Sequence, residues 1–409
     1  MIWSPRLTMA SIIFGAAVIA SGCSRREEAP PITVPPEDLK ALVEGNNQFA
    51  IELYKKVAEE KGNILISPYS ISSALAMTYA GAQGETAAQM AKTLHFTLPP
   101  DRLHPAFGGM TQWLGGGEKP SQYELSIANA LWAQQGLKVV PEFLDVTGKS
   151  YGAGLRQVDF GSNPDAARQT INRWVDEQTR DKIKDLLQPN DIDRDTRFVL
   201  SNAIFFRGTW EHRFPESWTH DRDFEIAPGD RVKVPMMNQS HVSFRQSITE
   251  IWHVLELPYA GDRLAMVVMV PLKRCGLREA ESRLSAAELQ QALSELHKGK
   301  ASVVLPKFHF KSRFALKPSL SALGMPLAFS DAADFSGISP DTRLRLKDVF
   351  HGGSIEVDEA GTVVAAATAV SGAKSAAPRP FLADHPFLFL IRDVQAGNIL
   401  FIGRVTDPR

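Results

Sequence analysis

Ten histidines, two cysteines and 46 aspartates and glutamates are the side chains here that can ligate a metal or move a proton. Their spacing supports neither use. The histidines show no metal-ligand pattern, and Cys23 and Cys275 are too few for a thiolate cluster or a disulfide framework. No nucleophile-elbow pentad, phosphate loop or dinucleotide fingerprint occurs, and Gly152-Ala153-Gly154 lacks the third glycine. No catalytic residue, metal or cofactor is therefore expected, and the chain is not read as an enzyme. Forty-five basic residues against the 46 acidic ones leave a net charge of −1 and no field for nucleic acid. Cys275 reads as a small buried hydrophobe.

Cys23 sits in a different setting. Arg6 precedes the apolar run Ile12 to Ala20, the pattern of an export signal and too short for a comfortable membrane span. The run ends in Ala20-Ser21-Gly22-Cys23, which resembles a bacterial lipobox; the alternative is a plain secretory signal cut nearby. Residues 1–22 are thus expected to be a lipoprotein signal peptide and Cys23 the lipidation site, with more than one acyl chain holding it stably on a lipid membrane. Residues 23–36, with Pro30-Pro31 and Pro35-Pro36, read as a semi-extended tether. The expected location is the envelope of a bacterial cell, at the outer membrane, facing periplasm or exterior.

The remaining length, 37–409, carries no second linker and no internal repeat, so one body is expected. Leu39, Leu42, Val43, Phe49, Leu53 and Val57 recur at helical spacing between Asp38 and Lys61. Ser67-Pro68 and Asn163-Pro164 each read as a cap followed by proline at the first helical position, and Glu85 to Leu94 as a short helix. Arg197–Phe206, Val254–Leu257, Leu264–Val270, Ser302–Leu305, Phe387–Ile391 and Ile399–Ile402 read as strands, several apolar enough to be buried on both faces. Helices early and strands late predict a mixed α+β body around a large sheet.

The stretch from Ala360 to Ala373 has no charge, no proline and no bulky side chain. Composition alone allows a surface loop or a frayed alanine-rich helix, yet small β-compatible residues are also what a chain needs to enter an existing sheet. Together with Glu359, this segment resembles the hinge and reactive-centre loop of the serpin family. Other stretches resemble the family in order: Ser67-Pro68-Tyr69-Ser70 with Gly81 to Thr86, Ile171-Asn172-Arg173-Trp174-Val175, Ser201-Asn202-Ala203 through Trp210, Leu305-Pro306-Lys307, Asp334-Phe335-Ser336-Gly337, His385-Pro386-Phe387 and Phe401-Ile402-Gly403-Arg404-Val405.

The resemblance implies a single-domain α+β serpin fold. Its parts would be a five-stranded main sheet, two smaller sheets, eight or nine helices and an exposed loop at about 359–380. It implies a suicide-substrate inhibitor of serine proteases, acting as a monomer that traps its target as a covalent acyl complex by inserting the loop into the main sheet. The alternative is a non-inhibitory member serving as a binding or carrier protein. The implied hinge is Glu359, Ala360, Gly361, Thr362, Val363, Val364, Ala365, Ala366, Ala367 and Thr368, small as in inhibitory members, although the two valines depart from the usual acidic and alanine choices. Trp210, Lys307, Ser67, Ser70, Asn202 and His351 match positions where the sheet must part, with Glu359 expected to pair with Lys307. Counting along the loop puts the scissile bond at Ser375–Ala376; the preference of trypsin-like pockets for a cation favours Lys374–Ser375, and the small residues around it keep elastase-like targets open.

Overall fold

The computed structural model describes residues 32–115, 123–152, 154–362 and 380–409. Lys374, Ser375 and Ala376, hinge residues Val363 to Thr368, the signal peptide and Cys23 lie outside the described residues.

The early part is helical for the reasons the spacing gave. Helix α1 (Pro36–Val57) buries Leu42, Val43, Phe49, Leu53 and Val57. After strand β1 (Ile64–Ile66), helix α2 (Pro68–Tyr79) starts where Ser67 accepts the Ser70 N–H on its hydroxyl, and it is buried almost throughout. Helices α3 (Gly84–Thr93) and α4 (Pro100–Leu114) follow, then the long strand β2 (Tyr123–Gln134), α5 (Pro141–Tyr151) and β3 (Leu155–Val158). Helix α6 (Pro164–Gln178) is capped by Asn163, whose side chain accepts from the Ala166 N–H.

Strands dominate thereafter: β4 (Phe198–Thr209), β5 (His220–Ala227), β6 (Asp230–Ile248), β7 (Trp252–Pro258) and β8 (Leu264–Pro271). Two short helices, α7 (Leu277–Arg283) and α8 (Ala286–Ser294), lead into β9 (His297–Pro306) and β10 (Phe308–Ala315). Helix α9 (Lys317–Leu323) precedes β11 (Val349–Val357), β12 (Gly361–Thr362), β13 (Phe381–Leu382), β14 (Phe387–Asp393) and β15 (Ile399–Val405). Strands β8, β14 and β15 are buried at every residue, as their unbroken apolar runs require.

These strands form two sheets rather than three. One has the order β10-β11-β4-β2-β3, with the two-residue β12 added on β4. This is the expected five-stranded sheet plus a foothold for a sixth strand. The two smaller sheets expected beside it are instead continuous, nine strands in the order β1-β15-β14-β8-β7-β6-β9-β13 with β5 on β6. The long strand β6 makes the junction, because it pairs with β5, β7 and β9 along its length.

The six-stranded sheet is covered on both faces. Ala167, Ile171 and Val175 of α6 pack over Ala128, Ala130, Val199, Ala203 and Phe350. On the other face Ile204 and Phe206 of β4 meet Leu255, Met266, Phe389 and Phe401 of the nine-stranded sheet. Alternate residues of β4 thus face opposite cores.

Two expectations need correction. The proline-rich tether is not free as far as Pro36, because Ile32 and Val34 lie on α4: a Cβ on Gly109 would stand 2.2 Å from Val34 Cγ2, and the Ile32 N–H donates to Gln112 Oε1 at 2.8 Å. Paired glycines on α4 make the room. Cys275 is half-buried in the turn after β8 rather than in the core, with its thiol pushed up by burial and by the Glu225 carboxylate.

Candidate functional site

The six-stranded sheet has a seam. Strands β4 and β11 run parallel and pair only from Leu200–Val349 to Phe205–Ser354. Above Phe205, β4 continues to Thr209 while β11 runs on to Val357 paired with β10 on its other side. Into the opening between them the chain folds back as β12, antiparallel to β4, with Gly361 opposite Thr209 and Thr362 opposite Gly208.

Local chemistry makes that reversal. Asp358 Oδ1 accepts the Ala360 and Gly361 N–H groups at 2.9 and 3.1 Å, closing a tight turn after β11. Gly361 has φ +153°, and a Cβ there would stand 2.1 Å from the Gly208 carbonyl oxygen, so only glycine fits against β4. Thr362 is fully buried, and its hydroxyl meets Tyr259 Oη at 2.9 Å. Tyr259 in turn stacks on Trp210, with ring centroids 4.6 Å apart and planes 10° from parallel.

Trp210 is the frame of this upper end. Its indole N–H donates to the Asp358 carbonyl at 3.0 Å and its backbone N–H to the Ala360 carbonyl at 2.9 Å. Lys307, at the junction of β9 and β10, donates to Glu359 Oε2 at 2.7 Å, and the Thr219 hydroxyl donates to Oε1 at 2.7 Å. Burial pushes the Glu359 carboxyl up, but the hydrogen bonds from Lys307 and Thr219 outweigh it and hold it below the usual glutamate range.

Lower down, the seam is closed by a polar row that crosses three strands. Asn129 stands opposite Asn202, and Asn202 beside His351, so β2, β4 and β11 each present one polar residue on the same face. His351 Nε2 accepts the Ser67 N–H at 3.1 Å, which leaves the proton on Nδ1 to donate to Asn202 Oδ1. The Asn202 amide donates to Ser70 Oγ at 2.6 Å and to Asn129 Oδ1, while Ser67 Oγ donates to the Leu400 carbonyl at 2.7 Å. Full burial pushes the His351 imidazole down to about 3, so the ring is neutral. Only the His351–Asn202 bond in this row spans the β4–β11 seam.

The structure therefore brings Trp210, Lys307, Glu359, Ala360, Gly361 and Thr362 together at the upper end, and Ser67, Ser70, Asn202 and His351 together below. Sequence reasoning missed Tyr259, Thr219 and Asn129. Asn129 carried a signal, a lone amide within the largely apolar run Ile127-Ala128-Asn129-Ala130-Leu131. Thr219 and Tyr259 carried none, since each is defined by a partner more than 100 residues away. Among the described residues no group of His, Cys, Asp and Glu is placed to hold a metal ion.

The sheet is thus open at one end between two parallel strands, with Gly361 and Thr362 paired there on β4. Residues 44–408 match the family model for serpins (serine protease inhibitors). The chain is 37% identical to the human leukocyte elastase inhibitor, over 90% of this chain and all of that one. Among solved structures it is similar to Serpin48 of the insect Tenebrio molitor, with a TM-score of 0.81, 32% identity and 90% and 98% of the two chains covered. It is also similar to human thyroxine-binding globulin complexed with thyroxine, with a TM-score of 0.82, 30% identity and coverage of 91% and 99%. The chain belongs to the serpin family, whose members are protease inhibitors in general rather than enzymes.

Proposed function

We propose that this serpin is a suicide-substrate inhibitor of trypsin-like or elastase-like serine proteases, tethered to a bacterial membrane through acylated Cys23. The observation that carries the reading is β12: two hinge residues stand as the first residues of a further strand at the open end of the β4–β11 seam. The hydroxyl oxygen of the protease attacks the carbonyl carbon of Lys374. Its base passes the hydroxyl proton to the leaving amine of Ser375 as the C–N bond breaks, and an ester remains. The alternative bond, Ser375–Ala376, follows the same chemistry.

The severed loop then continues what β12 begins. Each step along the loop is one step back along β4, so Val364 comes opposite Phe206, Ala366 opposite Ile204 and Thr368 opposite Asn202. Directly opposed residues share a face. Val363, Ala365 and Ala367 are therefore the ones turned toward α6, and their small size suits a strand that must slide beneath a helix. Thr368 arrives where the His351–Asn202 bond must be given up, carrying a hydroxyl to replace it. Insertion drags the ester-linked protease along, distorts its catalytic geometry and stalls hydrolysis of the ester.

Lipidation of Cys23 would hold the inhibitor in the cell envelope, with Cys23–Pro31 as the reach between membrane and body. Its partners would be the target proteases and the lipid, and it would act as a monomer.

Thr362→Arg tests the reading. An arginine cannot occupy the buried site beside Tyr259, so the loop should be cut at an unchanged rate while covalent complex falls from the main product to a minor one. Equal complex yield from the variant would contradict hinge-led insertion, and absence of complex from both proteins would favour the carrier alternative.

A further inference from the structure

The end of the seam opposite to β12 holds a cavity of about 250 Å³. It is lined by Arg197, Arg343, Arg345 and Lys347 together with Asp195 and Asp331, and Asp193 reaches Lys347 from beside it, four cations against three carboxylates for a net of +1. Local pairing quenches only part of the positive charge. Lys347 is taken by Asp193, and Arg345 reaches Asp331 at 3.1 Å, but that aspartate is 90% exposed. Arg197 spends its guanidinium on the carbonyls of Arg194 and Thr196. Arg343 is exposed and has no ion-pair partner among the described residues.

The register fixed at β12 leads to this place. Carried on, it sets Gly372 opposite Phe198, the first residue of β4, then Lys374 opposite Thr196 and Ser375 opposite Asp195. Thirteen residue-to-residue steps lead from Thr362 to Ser375, a travel of roughly 43 Å at about 3.3 Å per step. The residue esterified to the protease would thus leave the sheet between Thr196 and Arg345, at the mouth of the cationic cavity.

We propose that Arg343 and Arg345, with Arg197 and Lys347 behind them, form a landing site for the acylated protease, gripping carboxylates on its surface next to the reacted serine. This rests on the inhibitory reading and adds to it. The grip would hold the distorted enzyme in place and slow the hydrolysis that frees it. Since the cluster lies at the opposite end of the seam from β12, it would play no part in the first encounter.

The test uses the full chain with trypsin, following the covalent complex on denaturing gels and the return of trypsin activity. Arg343→Glu with Arg345→Glu should be cut at the wild-type rate but should release active trypsin about tenfold faster. The wild-type complex should also lose lifetime as salt is raised. Arg343→Gln, at an exposed position without a partner, should retain the wild-type melting temperature and show a smaller effect in the same direction. Wild-type complex with equal lifetimes for all three proteins would overturn the landing site and leave the inhibitory reading intact. No complex from wild type would overturn both.

Discussion

His351 accepts one backbone N–H and donates to one amide oxygen, an arrangement open only to the neutral ring. Burial pushes it down to about 3 and pushes His104, whose Nδ1 meets the Tyr151 hydroxyl, down to about 4. In the unfolded chain both rings take up a proton near pH 6.5, so the stability they contribute is complete above that pH and declines as the pH falls toward 4 and then 3. Each ring adds a slope on the order of 1 kcal/mol per pH unit within this window. Urea unfolding followed between about pH 7 and 4.5 should show the loss, and His351→Gln should flatten it by one ring's share. An unchanged slope in the variant would mean that His351 is already charged in the folded protein. The same network shows which residues were legible. Ser67 announced itself as a helix cap, whereas its tie to His351 crosses 284 residues and has no local signal.

Between α6 and β4 the connector crosses the outer face of the seam, and side chains from both sides hold it there. Asn172 of α6 receives the Leu187 N–H and donates to the Leu187 carbonyl, both at 2.8 Å, while Arg313 of β10 donates to the Leu186 carbonyl and pairs with Asp191. Inserting a strand beneath α6 requires this connector to lift. Asn172→Ala leaves the buried Leu187 N–H unpaired and its carbonyl with only the 3.3 Å bond from Arg168, so it should cost about 1–3 kcal/mol in urea unfolding of the native form. A cost near zero would show that the connector is held by Ile183, Leu186 and Leu187 packing alone. The helices that frame this region were readable from caps and apolar spacing. Strand β11 was not, because Gly352-Gly353 looks like a break; in the fold a Cβ on Gly352 would stand 2.8 Å from Leu186 Cδ1, so the glycine marks close approach of the connector rather than a turn. The merging of the nine strands was also hidden, since pairing along β6 depends on partners scattered from β5 to β9.

The whole molecule is built around one asymmetry. Six residue pairs close the β4–β11 seam, one side-chain hydrogen bond bridges it in the polar row, and Gly361 and Thr362 already fill its upper end. On the proposed mechanism, a loop released by cleavage would replace every pair it opens, gaining ladder bonds to both neighbours where the intact sheet has one set. The direct measurement is to mix the full chain separately with trypsin and with elastase, and to examine the products on a denaturing gel with mass analysis. The account predicts a covalent complex, lost protease activity and a released C-terminal peptide beginning at Ser375, or at Ala376 if the bond lies one residue later. Cleavage of the loop with no complex, and both proteases still active, would contradict it.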